Sequence, residues 1–153
     1  MKNITKFTRF LILAVAAWAT AAFAQAGGDY DQPAISGYDV VSYFQDSGPV
    51  RGTGFHVHEY EGAIFLFATE ANKDAFAKSP EKYLPEFNGY CAFGVSLGKK
   101  FHSNPEVFEV VEGKLYLNLD TDIQSKWRAD LSESIAKGHA QWKSIADKSA
   151  SEL

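Results

Sequence analysis

The stretch Val107 to Leu119, VFEVVEGKLYLNL, reads as two short strands joined by Glu112-Gly113. Phe108, Val110, Leu115 and Leu117 alternate onto one face, and Glu109, Lys114, Tyr116 and Asn118 onto the other. That pattern predicts an antiparallel hairpin, opened by Pro105, with one dry side and one wet side. A second pair of runs, Phe55 to Tyr60 and Ala63 to Ala68, turns on Glu61-Gly62, a weaker relative of the Asn-Gly hairpin signal. Counting back from Tyr60 opposite Ala63 sets His58 against Phe65 and His56 against Phe67, while Phe55, Val57, Ile64 and Leu66 share the opposite face. Being apolar on both sides, this hairpin is expected to be central or covered. The residues around the two Glu-Gly turns do not match each other, so shared turn chemistry explains the likeness better than duplication.

Between the hairpins, Thr69 is placed to cap a short helix with Ala71, Ala75 and Phe76 as its buried side. Ser79-Pro80 ends that helix, and Pro80 suits the start of a further turn toward Tyr83 and Leu84. After the second hairpin, Asp120 or Thr121 caps a long helix in which Ile123, Trp127, Leu131 and Ile135 recur every four residues. Gly138 would kink or end it, and Trp142 and Ile145 continue its apolar face. Upstream, Ile35 to Phe44 packs aromatics and valines behind Gly37, as a turn entering a short buried segment does. Gly48-Pro49, Gly52 and Gly54 mark a loop. The fold class is therefore α+β, a single small domain with two β-hairpins, a short middle helix and a long C-terminal helix.

Residues 1–24 read as a secretory signal peptide: Lys2, Lys6 and Arg9, an apolar run, then Ala22-Phe23-Ala24 as a cleavage site. The run falls short of the about 20 apolar residues that a membrane helix needs. No later stretch is longer, so no membrane insertion is expected after cleavage. Residues 25–34 form a flexible lead-in, 35–147 the domain and 148–153 a polar tail. The formal net charge is −4, and the basic leader makes the remainder more acidic still. Nucleic acid is thereby excluded as a partner recognised through its phosphates, and an anionic membrane surface is disfavoured.

The only cysteine, Cys91, lies in Tyr83 to Lys100, YLPEFNGYCAFGVSLGKK. A lone cysteine in an exported chain is a partner-seeking thiol, a metal ligand or a small buried hydrophobe. If Asn88 or Gly89 caps a short helix ending before Gly98, Cys91 sits in its first turn, where the helix dipole favours a thiolate. Packed among Tyr90, Phe93 and Val95, it is instead core. His56 and His58 form a His-x-His on a strand, projecting to one side about 6.6 Å apart. They supply half of a tetrahedral Zn or Cu site, with Cys91 and His102 the remaining donors; alternatively, the two rings stack on Phe65 and Phe67 and His102 is a solvated surface residue. Tyr38, Tyr43, Tyr60, Tyr83 and Tyr90 line a pocket or cover the core with polar tips. No Ser-His-Asp arrangement, phosphate loop, calcium loop or Cys-x-x-Cys pair is present.

Several runs together resemble the YHS-domain proteins, in particular an exported branch described as YHS domain-containing (seleno)proteins. They are Ser36 to Phe44, Tyr60-Glu61-Gly62, Phe76, Ser79 to Tyr83, Gly89 to Val95, Gly98-Lys99-Lys100 and Gly113 to Asn118. The resemblance implies a small α+β module associated with metal handling, found alone or attached to copper-transporting ATPases and oxygenases, often without an assigned activity. Some exported relatives carry selenocysteine at the position matching Cys91, which implies thiol or metal chemistry there. Metal-linked members have further cysteines that this chain lacks, so a cysteine-rich site does not carry over. The expectation is a periplasmic metal- or ligand-binding module centred on Cys91, with Cu or Zn as the candidate ion and a periplasmic partner or small ligand. One alternative is a single-cysteine thiol redox protein; another is a non-catalytic interaction module with Cys91 as core.

Overall fold

Each hairpin forms around its Glu-Gly turn. Strands β1 (Thr53–Tyr60) and β2 (Ala63–Phe67) pair antiparallel, as do β3 (Asn104–Val111) and β4 (Lys114–Asn118), giving two separate two-stranded sheets. Both central turn residues have positive φ, Glu61 at 50° and Gly62 at 77°, Glu112 at 52° and Gly113 at 77°. That is the type I′ geometry whose twist matches the flanking strands. This computed structural model describes residues 32–153, and the expected signal peptide and most of the lead-in lie outside the described residues.

The register follows the sequence close to each turn and departs from it farther away. Tyr60 pairs with Ala63, His58 with Phe65, Val110 with Leu115 and Phe108 with Leu117. His56, expected opposite Phe67, instead lies in a β-bulge, because Thr53 takes Phe67 as its partner and the ladder resumes at Val57 and Leu66. A bulge adds a residue to one strand and re-aims the side chains it contains.

The covering of the two hairpins is the reverse of the pattern their alternation suggests. The first hairpin is covered on one face only, where Phe65 and Phe67 meet Phe76 of helix α1 (Glu70–Lys78) at ring-centroid distances of 4.8 and 5.2 Å. Its other face carries Phe55, 92% exposed, and Val57, 45% exposed. The second hairpin is enclosed on both faces. Leu115 and Leu117 pack with Tyr38 and Tyr43 from the N-terminal segment. Tyr116 and Asn118, placed on the wet side by alternation, are buried. The cause is the C-terminal helical pair α3 (Thr121–Ala129) and α4 (Leu131–Ile145), which folds back over that side; Trp127 lies 5.4 Å from Tyr116, ring to ring. The long helix breaks at Asp130, whose φ of −140° is non-helical. Gly138 does not break it. Gly138 sits inside α4, where a Cβ would come within 2.8 Å of the Phe87 ring.

The segment before β1 is a turn with left-handed backbone at Ile35 and Ser36, Ala34–Gly37, followed by a 3-10 turn, Ser42–Phe44, both tied down by one buried carboxylate. Asp39 Oδ1 accepts from the Val41 amide at 2.9 Å, and Oδ2 accepts from the Ala68 amide at 2.9 Å and from Asn72 Nδ2 at 2.6 Å. These bonds explain a helix face that apolar spacing misplaces: Asn72 is buried and Ala71 exposed. Thr69 caps α1 as expected, accepting from the Asn72 amide. Residues 148–153 include a short turn whose terminal Leu153 packs against the core. Among the described residues no helix is long and apolar enough to cross a membrane.

Two outcomes follow for stability. In Asp39→Asn an amide NH2 must face at least one N–H donor whichever way the side chain turns, so urea unfolding should show a loss of about 1–3 kcal/mol. Burial, with Glu86 and Glu112 nearby, raises the Tyr116 phenol from its ordinary 10.0 to about 12, and burial raises Tyr43 as well. Between those two pH values the unfolded chain releases the Tyr116 proton while the folded chain keeps it, so stability falls as pH rises through this window. Tyr116→Phe should lessen that fall in urea titrations from pH 10 upward, with Tyr43, Tyr38 and Tyr60, whose phenols are also raised, contributing to what remains.

Candidate functional site

The site is built where the second hairpin meets a five-residue helix. Helix α2 spans Ala92–Ser96, and Cys91 occupies its N-cap position rather than its first turn; Asn88 and Gly89 belong to the preceding turn, Glu86–Gly89, in which Phe87 and Asn88 have left-handed backbone. The Cys91 amide donates to the Phe101 carbonyl at 3.0 Å, and its own carbonyl accepts from Val95 at 2.9 Å. A single parallel bridge to Leu117 seats Cys91 on β4. Gly98, at φ 75°, lets the chain reverse after α2.

Asn118, at the end of β4, supplies what α2 lacks. Its Oδ1 accepts from the Phe93 amide at 3.2 Å and from the Cys91 thiol at 3.7 Å. One carboxamide thus satisfies a first-turn N–H that no residue within the helix can bond, and orients the sulfur. Asn118 Nδ2 and Trp127 Nε1 are buried donors without a partner among the described residues.

Cys91 is 1% exposed and forms part of the wall of a pocket of about 150 Å³, with Phe93, Gly94, Leu97, Phe101, Leu119 and Ile123 as the rest of the lining. Leu97, Phe101 and Leu119 are 61%, 49% and 43% exposed, so the pocket opens through an apolar rim. Gly94 is needed for this shape, since a Cβ there would stand 2.7 Å from the Phe101 ring. The approach to α2 is braced by Lys100, which is buried. Its Nζ donates to the carbonyls of Ala146 at 2.8 Å and Lys148 at 2.6 Å, and lies 5.2 Å from the Tyr90 ring and 5.0 Å from the Trp142 ring. Carbonyls at the C-terminal end of α4 and two aromatic faces thereby replace the water this ammonium gives up.

The histidines lie in other surroundings. His56 Nδ1 meets Glu70 Oε2 at 2.8 Å, and Glu70 also pairs with Lys73; these two partners hold the Glu70 carboxyl below the usual range. His58 stands edge-on to Phe76 at 5.7 Å. His102 is exposed, its ring 6.4 Å from that of Tyr90. Among the described residues no group of three or more His, Cys, Asp and Glu side chains is placed to hold a metal ion. Cys91, His56, His58 and His102 therefore do not fit one shared metal centre. Of the tyrosines, Tyr38 donates to Glu106 and Tyr43 to the Pro105 carbonyl, bracing the N-terminal segment against β3.

The family model for the YHS domain matches residues 41–86. The chain contains a YHS domain. Neither the curated proteins nor the solved structures compared with it include a match. The matched segment holds β1, β2, α1 and the His56–His58 pair, and it ends five residues before Cys91. The pocket is thus built by the part of the chain that follows the YHS match.

Alternation alone does not find Asn118, which it assigns to solvent. Leu97 and Phe101 did carry a signal: they are large apolar residues that fit no strand or helix stripe, whereas Leu119 continues the Leu115 and Leu117 alternation. A thiol only 1% exposed and bonded to Asn118 reacts slowly in the native state. Iodoacetamide should therefore modify Cys91 in the native protein at least about tenfold more slowly than in urea, and Asn118→Ala should narrow that gap by loosening the start of α2.

Proposed function

We propose that this YHS-domain chain is an exported, periplasmic ligand-binding module whose binding site is the Cys91 pocket. The observation that carries the reading is the coincidence of the only cysteine, an open cavity of about 150 Å³ and three exposed large hydrophobics around its mouth. A concave apolar site with one distinctive polar or polarisable group is the ordinary form of a small-molecule site. Export and the periplasmic setting rest on the leader pattern of residues 1–24. Of the two halves of the metal-or-ligand expectation, the ligand half has a cavity to support it, whereas the four candidate metal donors lack a common centre. Cys91 in this reading contributes a soft, weakly polar wall whose proton is directed to Asn118.

Amide shift mapping of the ¹⁵N-labelled protein against a fragment set of neutral, anionic, cationic and thiol compounds, with Zn(II) as a separate probe, tests the reading. Saturable shifts confined to Cys91–Leu97, Phe101 and Leu119–Ile123 are expected from at least one fragment. If every probe leaves those amides in place, the pocket is not a binding site.

A further inference from the structure

Resting on that reading, we infer that the pocket takes an uncharged apolar molecule about the size of one six-membered ring, and that Phe101 is the wall that adjusts to it. Size comes first. A cavity of about 150 Å³ is below the roughly 300–1,000 Å³ of sites for drug-sized ligands or cofactors, and matches in volume an enclosed apolar cavity that accepts benzene, although here one side is open to solvent.

Polarity comes second. None of the seven lining residues, Cys91, Phe93, Gly94, Leu97, Phe101, Leu119 and Ile123, is ionisable apart from the thiol, and that thiol donates to Asn118. The Asn118 oxygen is shared with the Phe93 amide. A charge carried into the pocket would lose its hydration and find no counter-charge, which disfavours it.

Phe101 is held at one end and free at the other. Its backbone carbonyl is fixed by the Cys91 amide at 3.0 Å, yet its ring is half exposed and rests on the bare backbone of Gly94. The backbone is held while the ring has room on its solvent side. A Cβ at position 94 would displace that ring and leave the rest of the lining in place.

Titrations of the full protein with benzene, benzoate, benzylamine and naphthalene, followed by amide shifts and with Gly94→Ala and Phe101→Ala in parallel, test the inference. Benzene should bind at Cys91–Leu97 and Leu119–Ile123, with the two charged compounds at least about tenfold weaker, as the cost of burying an unpaired charge requires. Naphthalene should bind more weakly than benzene to the wild type and gain on it in Phe101→Ala, where the wall is cut away. Gly94→Ala, in which the gain from replacing a helical glycine opposes the clash with the Phe101 ring, should weaken benzene binding by about tenfold or more, with urea unfolding of the same variant reading its stability separately. Benzoate or benzylamine binding as tightly as benzene would overturn the ligand class while leaving the pocket reading intact. Unchanged benzene affinity in Gly94→Ala together with no gain for naphthalene in Phe101→Ala would overturn the role of Phe101. Silence from all four compounds, alongside a response to some other fragment in the wider set, would also overturn the class; silence everywhere would remove the binding site itself.

Discussion

The side-chain oxygen of Asn118 accepts the first-turn amide of Phe93 and the thiol of Cys91, and through those two bonds the last residue of β4 fixes the start of α2. A five-residue helix is far too short to be stable by propensity, so its position depends on what the tertiary structure offers its unpaired groups. Asn118 offers an acceptor, the Phe101 carbonyl receives the Cys91 amide, and Lys100 anchors the returning chain to the end of α4. The pocket is the space that remains between these restraints. The arrangement has a cost, because Asn118 Nδ2 is buried without a partner among the described residues, whereas the Asp39 carboxylate accepts on both of its oxygens.

Much of the architecture is legible in local chemistry. The Glu-Gly pairs specify the left-handed turn geometry of both hairpins, and register follows for the residues nearest each turn. Thr69 and Asp120 cap the helices they precede, and the Trp127 side of α3 docks on Tyr116. The errors arise where a long-range partner overrides a local pattern. Tyr116 and Asn118 look solvent-facing until the C-terminal helices fold back over them, and Asn72 looks exposed until Asp39 reaches it from a segment 33 residues away.

The site was legible only as a position. Cys91 stands out by being alone, and both readings of its surroundings, an exposed helix start and a packed core, follow from the same residues. The structure combines parts of each: Cys91 is at the start of a helix, and it is buried. His56 and His58 were paired by strand period, but the bulge at His56 and the separate attachments to Glu70 and Phe76 depend on α1, which strand period does not describe. The residues that shape the cavity, Gly94, Leu97, Phe101 and Leu119, come from a helix, its end, a loop and the residue after a strand. No single periodicity joins them.

The most direct measurement of the central claim is a crystal structure of the protein under xenon pressure, because xenon reports an accessible apolar cavity without regard to ligand identity. Xenon density is expected in contact with Cys91, Phe93 and Ile123, beside a Phe101 whose backbone has kept its position. A pocket filled instead by hydrogen-bonded water or by a neighbouring side chain, with xenon bound only elsewhere, would contradict it.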